Sequence, residues 1–252
     1  MKKLYVAVLV LPLLSFAAVT GAQDLPPGDS VKGEVVYTRY CVSCHGELGN
    51  GAGEFAEWIT TKPRDYRQGT FKWRSTPSGS LPLDSDLDKT IRDGIYGTFM
   101  PPWFPIGERS RRDVIAYIKT FSPRWKTEKP LPAIKIPPEP VYSEASVKRG
   151  LAVYEKSNCA QCHGQGALGD GPSAHDLKDD WGFPIVPYDL TGGHIKCGDT
   201  GPDIYRVFMT GLNGTPMPSY VDSISEAEAW DLVHYIQSLS PLYPKNVGVA
   251  AK

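Results

Sequence analysis

The stretch Cys41-Val42-Ser43-Cys44-His45 returns 118 residues later as Cys159-Ala160-Gln161-Cys162-His163. At the same shift, Tyr117-Ile118-Lys119-Thr120-Phe121-Ser122-Pro123 returns as Tyr235-Ile236-Gln237-Ser238-Leu239-Ser240-Pro241. Between these anchors, Gly94, Gly97, Thr98, Met100 and Pro101 match Gly211, Gly214, Thr215, Met217 and Pro218 at a shift of 117. Pro63 and Asp65 match Pro187 and Asp189 at a shift of 124. The second copy therefore gains residues after its Cys-His stretch and loses a loop equivalent to 75–83. Such a pattern marks an internal duplication with length changes confined to loops. The expected units are 29–122 and 143–240. Residues 123–142 between them include Pro130, Pro132, Pro137 and Pro138. Proline blocks helix and stiffens an extended chain, so this stretch reads as a linker that joins the units without merging their cores.

Helical spacing is legible in both copies. Val114, Tyr117, Ile118 and Phe121 recur at i, i+3, i+4 and i+7, as do Ala229, Leu232, Val233 and Ile236. Ser225 with Glu228 forms a capping box ahead of the latter. Helices are also expected over 30–40 and 146–156, leading into each cysteine pair, and over 86–94 and 203–211, each ended by glycine. No run alternates as a strand does. The expected fold class is all-α.

The chain has 252 residues, 41% hydrophobic and 22% charged, an ordinary globular balance. Its start reads as a signal peptide. Lys2 and Lys3 precede an apolar stretch over 4–19, and small residues follow to Ala22, after which cleavage is expected. That stretch contains Pro12 and falls short of the ~20 residues a bilayer span needs. Residues 29–122 carry 13 Lys and Arg against 12 Asp and Glu; residues 143–240 carry 6 against 13, a net charge of −7. There is no clustered positive face of the kind nucleic acid requires.

Cys-x-x-Cys-His is the attachment pattern for c-type haem. On a helical turn, residues i and i+3 face one side, so both thiols can add to the two vinyl groups of one porphyrin. The following His45 or His163 then lies where it can donate a nitrogen to iron. A thioredoxin-like pair would need a βαβ setting, and a zinc site would need four ligands per metal. Neither suits a pair that is followed by histidine and repeated in an exported chain. Five cysteines, an odd number, also argue against a pure disulfide framework.

On these residues the chain resembles a tandem pair of class I c-type cytochrome domains, with a dihaem arrangement similar to cytochrome c4. The resemblance implies two covalent haem c groups, held by Cys41 and Cys44 and by Cys159 and Cys162. It implies iron ligation by His45 and His163 on one side and by a methionine from a loop on the other. Gly97-Thr98-Phe99-Met100-Pro101 and Gly214-Thr215-Pro216-Met217-Pro218 resemble those loops. The family's packing of a glycine and an aromatic against a C-terminal-helix aromatic matches Gly33 and Tyr37 with Tyr117, and Gly150 and Tyr154 with Tyr235.

Residue supply points the same way. After residue 22, the first unit offers one methionine, Met100, and no histidine besides His45. The second unit also holds Met209, His175, His194, His234 and Cys197. Met209 reads as packing, and His234 as a surface or packing residue. Cys197 aligns with Trp73; it is either a small inert thiol or a thiolate ligand that would lower the potential. Trp73, Trp103 and Tyr220 are candidates to wall the clefts, or plain core.

A haem with both axial positions filled passes single electrons. The expected function is that of an exported, periplasmic electron carrier or electron-transfer subunit between respiratory redox partners. A partner with a basic docking face suits the acidic second unit. The competing class is an enzyme, a dihaem peroxidase or thiosulfate dehydrogenase, which needs one displaceable ligand.

Overall fold

The computed structural model describes residues 27–196 and 198–243. The segment 1–22, expected to be a signal peptide, and Cys197 lie outside the described residues. The helices are α1 (Ser30–Tyr40), α2 (Val42–His45), α3 (Asp84–Asp93), α4 (Gly107–Thr120), α5 (Arg124–Thr127), α6 (Glu144–Lys156), α7 (Ala160–His163), α8 (Gly201–Thr210) and α9 (Glu226–Leu239). Short 3-10 turns occur at Ala56–Trp58, Phe104–Ile106 and Ala174–Asp176. Among the described residues there is no strand, only an isolated bridge between Lys178 and Pro184. The fold is all-α, as expected, with two separate buried clusters.

Helices α1, α6, α8 and α9 start where a side chain can meet their orphan N–H groups. Asp29 accepts from the Val31 and Lys32 N–H groups at 3.0 and 3.3 Å. Ser225 accepts from the Glu228 N–H at 3.3 Å while the Glu228 carboxylate takes the Ser225 N–H at 2.9 Å, the reciprocal box the sequence predicts. The middle helices α3 and α8 begin two residues earlier than expected. Thr200 caps α8 at the Asp203 N–H, 3.2 Å, and Pro202 occupies its first turn. Gly94 and Gly211 end α3 and α8 at φ 67° and 69°.

The framework of each unit is one helix pair, α1 on α4 and α6 on α9, crossing at a glycine. A Cβ at Gly33 would lie 1.9 Å from the Asp113 carbonyl oxygen, and one at Gly150 would lie 1.9 Å from that of Asp231. Tyr37 and Tyr117 rings sit 5.3 Å apart, as do Tyr154 and Tyr235. The Tyr37 hydroxyl donates to the Gly46 carbonyl and the Tyr154 hydroxyl to that of Gly164, both at 2.7 Å. These bonds pin each cysteine-bearing turn onto the helix pair. Gly33→Ala or Gly150→Ala must push the helices apart, so each should cost about 3 kcal/mol or more, at the upper end of overpacking. Chemical denaturation checks this; an unchanged midpoint would refute the close-crossing geometry.

The units also hold each other. Arg74, only 2% exposed, donates through Nη2 to the Thr210 carbonyl at 2.6 Å and through Nη1 to that of Gly211 at 3.2 Å. It thereby caps the C-terminus of α8 from the first unit. Ser78 Oγ and the Gly79 N–H donate to Asn213 Oδ1. The Arg64 guanidinium lies 4.2 Å over the Trp181 ring. The loop after Trp73, which the second copy lacks, therefore supplies much of the contact between the units, beside Arg64 and the Lys89–Asp203 pair at 3.8 Å.

Residues 128–143 carry no regular secondary structure, although the helical turn α5 occupies the start of the stretch read as linker. The Leu131 N–H donates to Ser80 Oγ and the Ile134 N–H to the Ser75 carbonyl. Ile134 and Ile136 pack against the second cluster.

Candidate functional site

The two cysteine-bearing turns share one backbone pattern. In the first, the Cys44 and His45 N–H groups donate to the Cys41 carbonyl at 3.2 and 2.9 Å. In the second, those of Cys162 and His163 donate to the Cys159 carbonyl at the same two distances. This winding sets each cysteine pair on one face with histidine following. Gly46 and Gly164 then turn the chain away at φ 76° and 79°, where a side chain would be strained.

Burial raises the Cys41 thiol to about 12 and the Cys159 thiol to about 11. Thiols held neutral in this way are poor candidates for a redox-exchange pair, which works as thiolate. Among the described residues, no group of three or more His, Cys, Asp or Glu side chains is placed to hold a metal ion by itself.

Each histidine is oriented from behind by main chain. His45 Nδ1 lies 3.2 Å from the Arg64 carbonyl oxygen, and His163 Nδ1 lies 3.2 Å from that of Tyr188. A carbonyl can only accept, so Nδ1 carries the hydrogen and Nε2 keeps its lone pair. Burial lowers His45 to about 4 and shifts His163 in the same direction. Both rings are therefore neutral at ordinary pH, as a metal ligand must be.

The methionine loops match atom for atom. The Ile95 N–H donates to the Met100 carbonyl at 3.0 Å, and the Leu212 N–H to that of Met217 at 3.1 Å. Thr98 and Thr215 accept from the methionine N–H groups at 3.1 and 3.2 Å. One cleft is lined by Cys41, Cys44, His45 and Met100 together with Trp103. The other is lined by Cys159, Cys162, His163 and Met217 together with Tyr220. Trp73 lines both.

The comparisons with known proteins follow this geometry. Residues 29–118 match the family model described as cytochrome C oxidase, cbb3-type, subunit III. Residues 147–240 match the model for cytochrome c. A solved chain of the Kuenenia stuttgartiensis reducing HAO-like protein complex is 41% identical, with a TM-score of 0.84, over 86% of this chain and 100% of that one. The chain belongs to the tandem class I c-type cytochromes. No curated protein matches it.

As a tandem cytochrome c, it binds haem c and serves electron transfer. Its own residues fit that group: paired thiols on one face, a neutral imidazole whose Nε2 keeps its lone pair, a soft thioether in the same cleft, and apolar walls. Among the described residues, the competing donors Met209, His175, His194 and His234 of this cytochrome's second unit do not line that cleft. Met209 is buried in α8. His175 is exposed, His194 pairs with Asp199 at 2.7 Å, and His234 packs at 1% exposure with Nδ1 2.8 Å from Ser146 Oγ. Among the described residues, no helix is long and apolar enough to cross a membrane.

One residue beside the site escaped the sequence reading. The Tyr66 hydroxyl donates to His45 Nε2 at 3.1 Å, and its ring stacks on the imidazole at 4.7 Å. The corresponding residue of the second copy is Leu190, so the pattern has no repeat to reveal it.

Proposed function

We propose that the chain is an exported, periplasmic dihaem cytochrome that passes single electrons between redox partners as a subunit of a larger assembly. In this reading Cys41 and Cys44 hold one haem c by thioether bonds, and Cys159 and Cys162 hold the other. His45 with Met100 and His163 with Met217 are the axial ligands. The observation that carries it is the twofold convergence of a Cys-Cys-His turn and a methionine loop on one apolar cleft. Haem c, when bound, supplies a one-electron iron couple. The protein's residues keep the imidazole neutral and exclude water with Trp103 and Tyr220. The Tyr66 hydroxyl gives up Nε2 when a metal takes that nitrogen.

The assembly part of the reading is supported by the 41% identical chain, which comes from a protein complex. The net −7 of the second unit suits a partner with a basic docking face, because opposed fields speed encounter and salt screens them. The mature chain made in a host competent for cytochrome maturation should carry two haems, both low-spin and slow to bind carbon monoxide when reduced. Native protein drawn from the periplasm should bring a redox protein with it, and electron transfer to that partner should slow as salt rises. A haem count other than two, or rapid carbon monoxide binding to the native protein, would refute the carrier assignment; the latter would favour a dihaem enzyme.

A further inference from the structure

Three half-buried cations meet where the two clefts adjoin. Lys72 and Lys196, like Trp73, line both clefts. Arg64 lines the first cleft while its guanidinium rests on Trp181 of the second unit. Lys72 lies within the field of both Arg64 and Lys196 as like charges. Neither lysine makes an ion pair or hydrogen bond with a carboxylate among the described residues; the Lys196 ammonium instead lies 5.0 Å over the Tyr188 ring. The carboxylate nearest in effect to Lys72 is Asp179, and its Oδ1 already accepts from the Trp181 and Phe183 N–H groups at 3.1 and 2.9 Å. Burial pushes Lys72 down to about 8 and Lys196 below its ordinary range.

Gathering unpaired ammonium groups away from water is unfavourable unless anions join them. A haem c group carries ionisable carboxylate side chains at one edge of its ring. A cation that lines both clefts is placed where it would meet a carboxylate from a group seated in either. We propose that Lys72 and Lys196, which share both cleft walls with Trp73, form a common seat for carboxylates of both haem groups, so that each lysine sets the reduction potential of both. This rests on the reading of one haem per cleft. Reduction adds one negative charge to a site, and a nearby cation favours the reduced form. In a partly desolvated wall that influence is weakly screened. Removing either cation should therefore lower both midpoints together.

Lys62 provides the internal comparison. It lines the first cleft alone, with Nζ donating to the Ala56 carbonyl at 2.8 Å. The experiment is a redox titration of the full chain, wild type against Lys72→Gln, Lys196→Gln and Lys62→Gln, with haem counted in each. Lys72→Arg and Lys196→Arg keep the charge and serve where a glutamine variant fails to mature. Each glutamine variant at the shared wall should move both one-electron equilibria threefold or more, roughly 30 mV downward at 59 mV per tenfold, with the arginine variants close to wild type. Lys62→Gln should move only one midpoint. Two haems per chain with midpoints unchanged, or only one midpoint displaced by Lys72→Gln and Lys196→Gln, would overturn the shared seat and leave the dihaem reading intact. A wild-type count other than two would remove the dihaem reading, and the seat with it.

Discussion

Met100→Ala in the full chain should lower one of the two haem midpoints by about 100 mV or more, well inside the ~0.8 V over which axial ligands move haem potentials, and leave the other in place. The reduced variant should bind carbon monoxide rapidly at a single iron. Met217→Ala should do the same to the other midpoint. The expectation follows from the proposed thioether ligand, which raises the potential and fills the coordination position. The loop should survive the change. The Met100 main chain is tied by its N–H to Thr98 Oγ1 and by its carbonyl to the Ile95 N–H, and neither bond uses the side chain. Two unaltered midpoints and no carbon monoxide binding in Met100→Ala would remove Met100 from the iron.

Arg74→Ala should lower stability by about 3 kcal/mol, taking two hydrogen bonds from a charged donor at ~1.5–3 kcal/mol each and allowing for some access of water. For a chain of this size that is a Tm loss of roughly 6–12 °C. Arg74 is nearly inaccessible, and its removal orphans the Thr210 carbonyl at the end of α8 and leaves that of Gly211 only the Thr210 hydroxyl at 3.3 Å. Arg74→Met keeps the apolar stem but not the donors, and should fare almost as badly. Asn213→Ala, on an exposed contact, should cost far less. Calorimetry of the haem-loaded protein decides the matter: a Tm within about 2 °C of wild type for Arg74→Ala would show that the cross-unit capping carries little stability.

Much of this architecture is written in local chemistry. The Cys-Cys-His turns, the Gly-Thr-x-Met-Pro loops and the Ser225–Glu228 box each fall within about five residues, and each appears in the structure where the sequence places it. The Tyr37–Tyr117 and Tyr154–Tyr235 contacts span longer distances and are legible only through the resemblance to cytochrome c domains. The helix starts at Asp84 and Gly201 were set too late because Ser85, Gly201 and Pro202 are weak in helix interiors yet well suited to a first turn. Arg74 and Tyr66 left no signal at all. Comparing two copies discards whatever only one of them has. A seam between two unequal units draws on such residues, and the loop over 75–83, which the second copy lacks, carries part of it. The stretch beyond it also does more than span: Leu131 and Ile134 fasten to that loop while Ile134 and Ile136 enter the second core.

The oxygen behind each imidazole belongs to a peptide group, that of Arg64 or Tyr188, and not to a carboxylate. A neutral amide draws the Nδ1 hydrogen less than an anion would, so the ring keeps modest donor strength. On the proposed assignment, the ferric state gains little from that quarter and the iron stays an avid electron acceptor. No side-chain replacement at position 64 or 188 deletes a main-chain oxygen. Over evolutionary time, the electron affinity of both centres is therefore insulated from drift at this innermost support, and is retuned from the methionine side or from the walls.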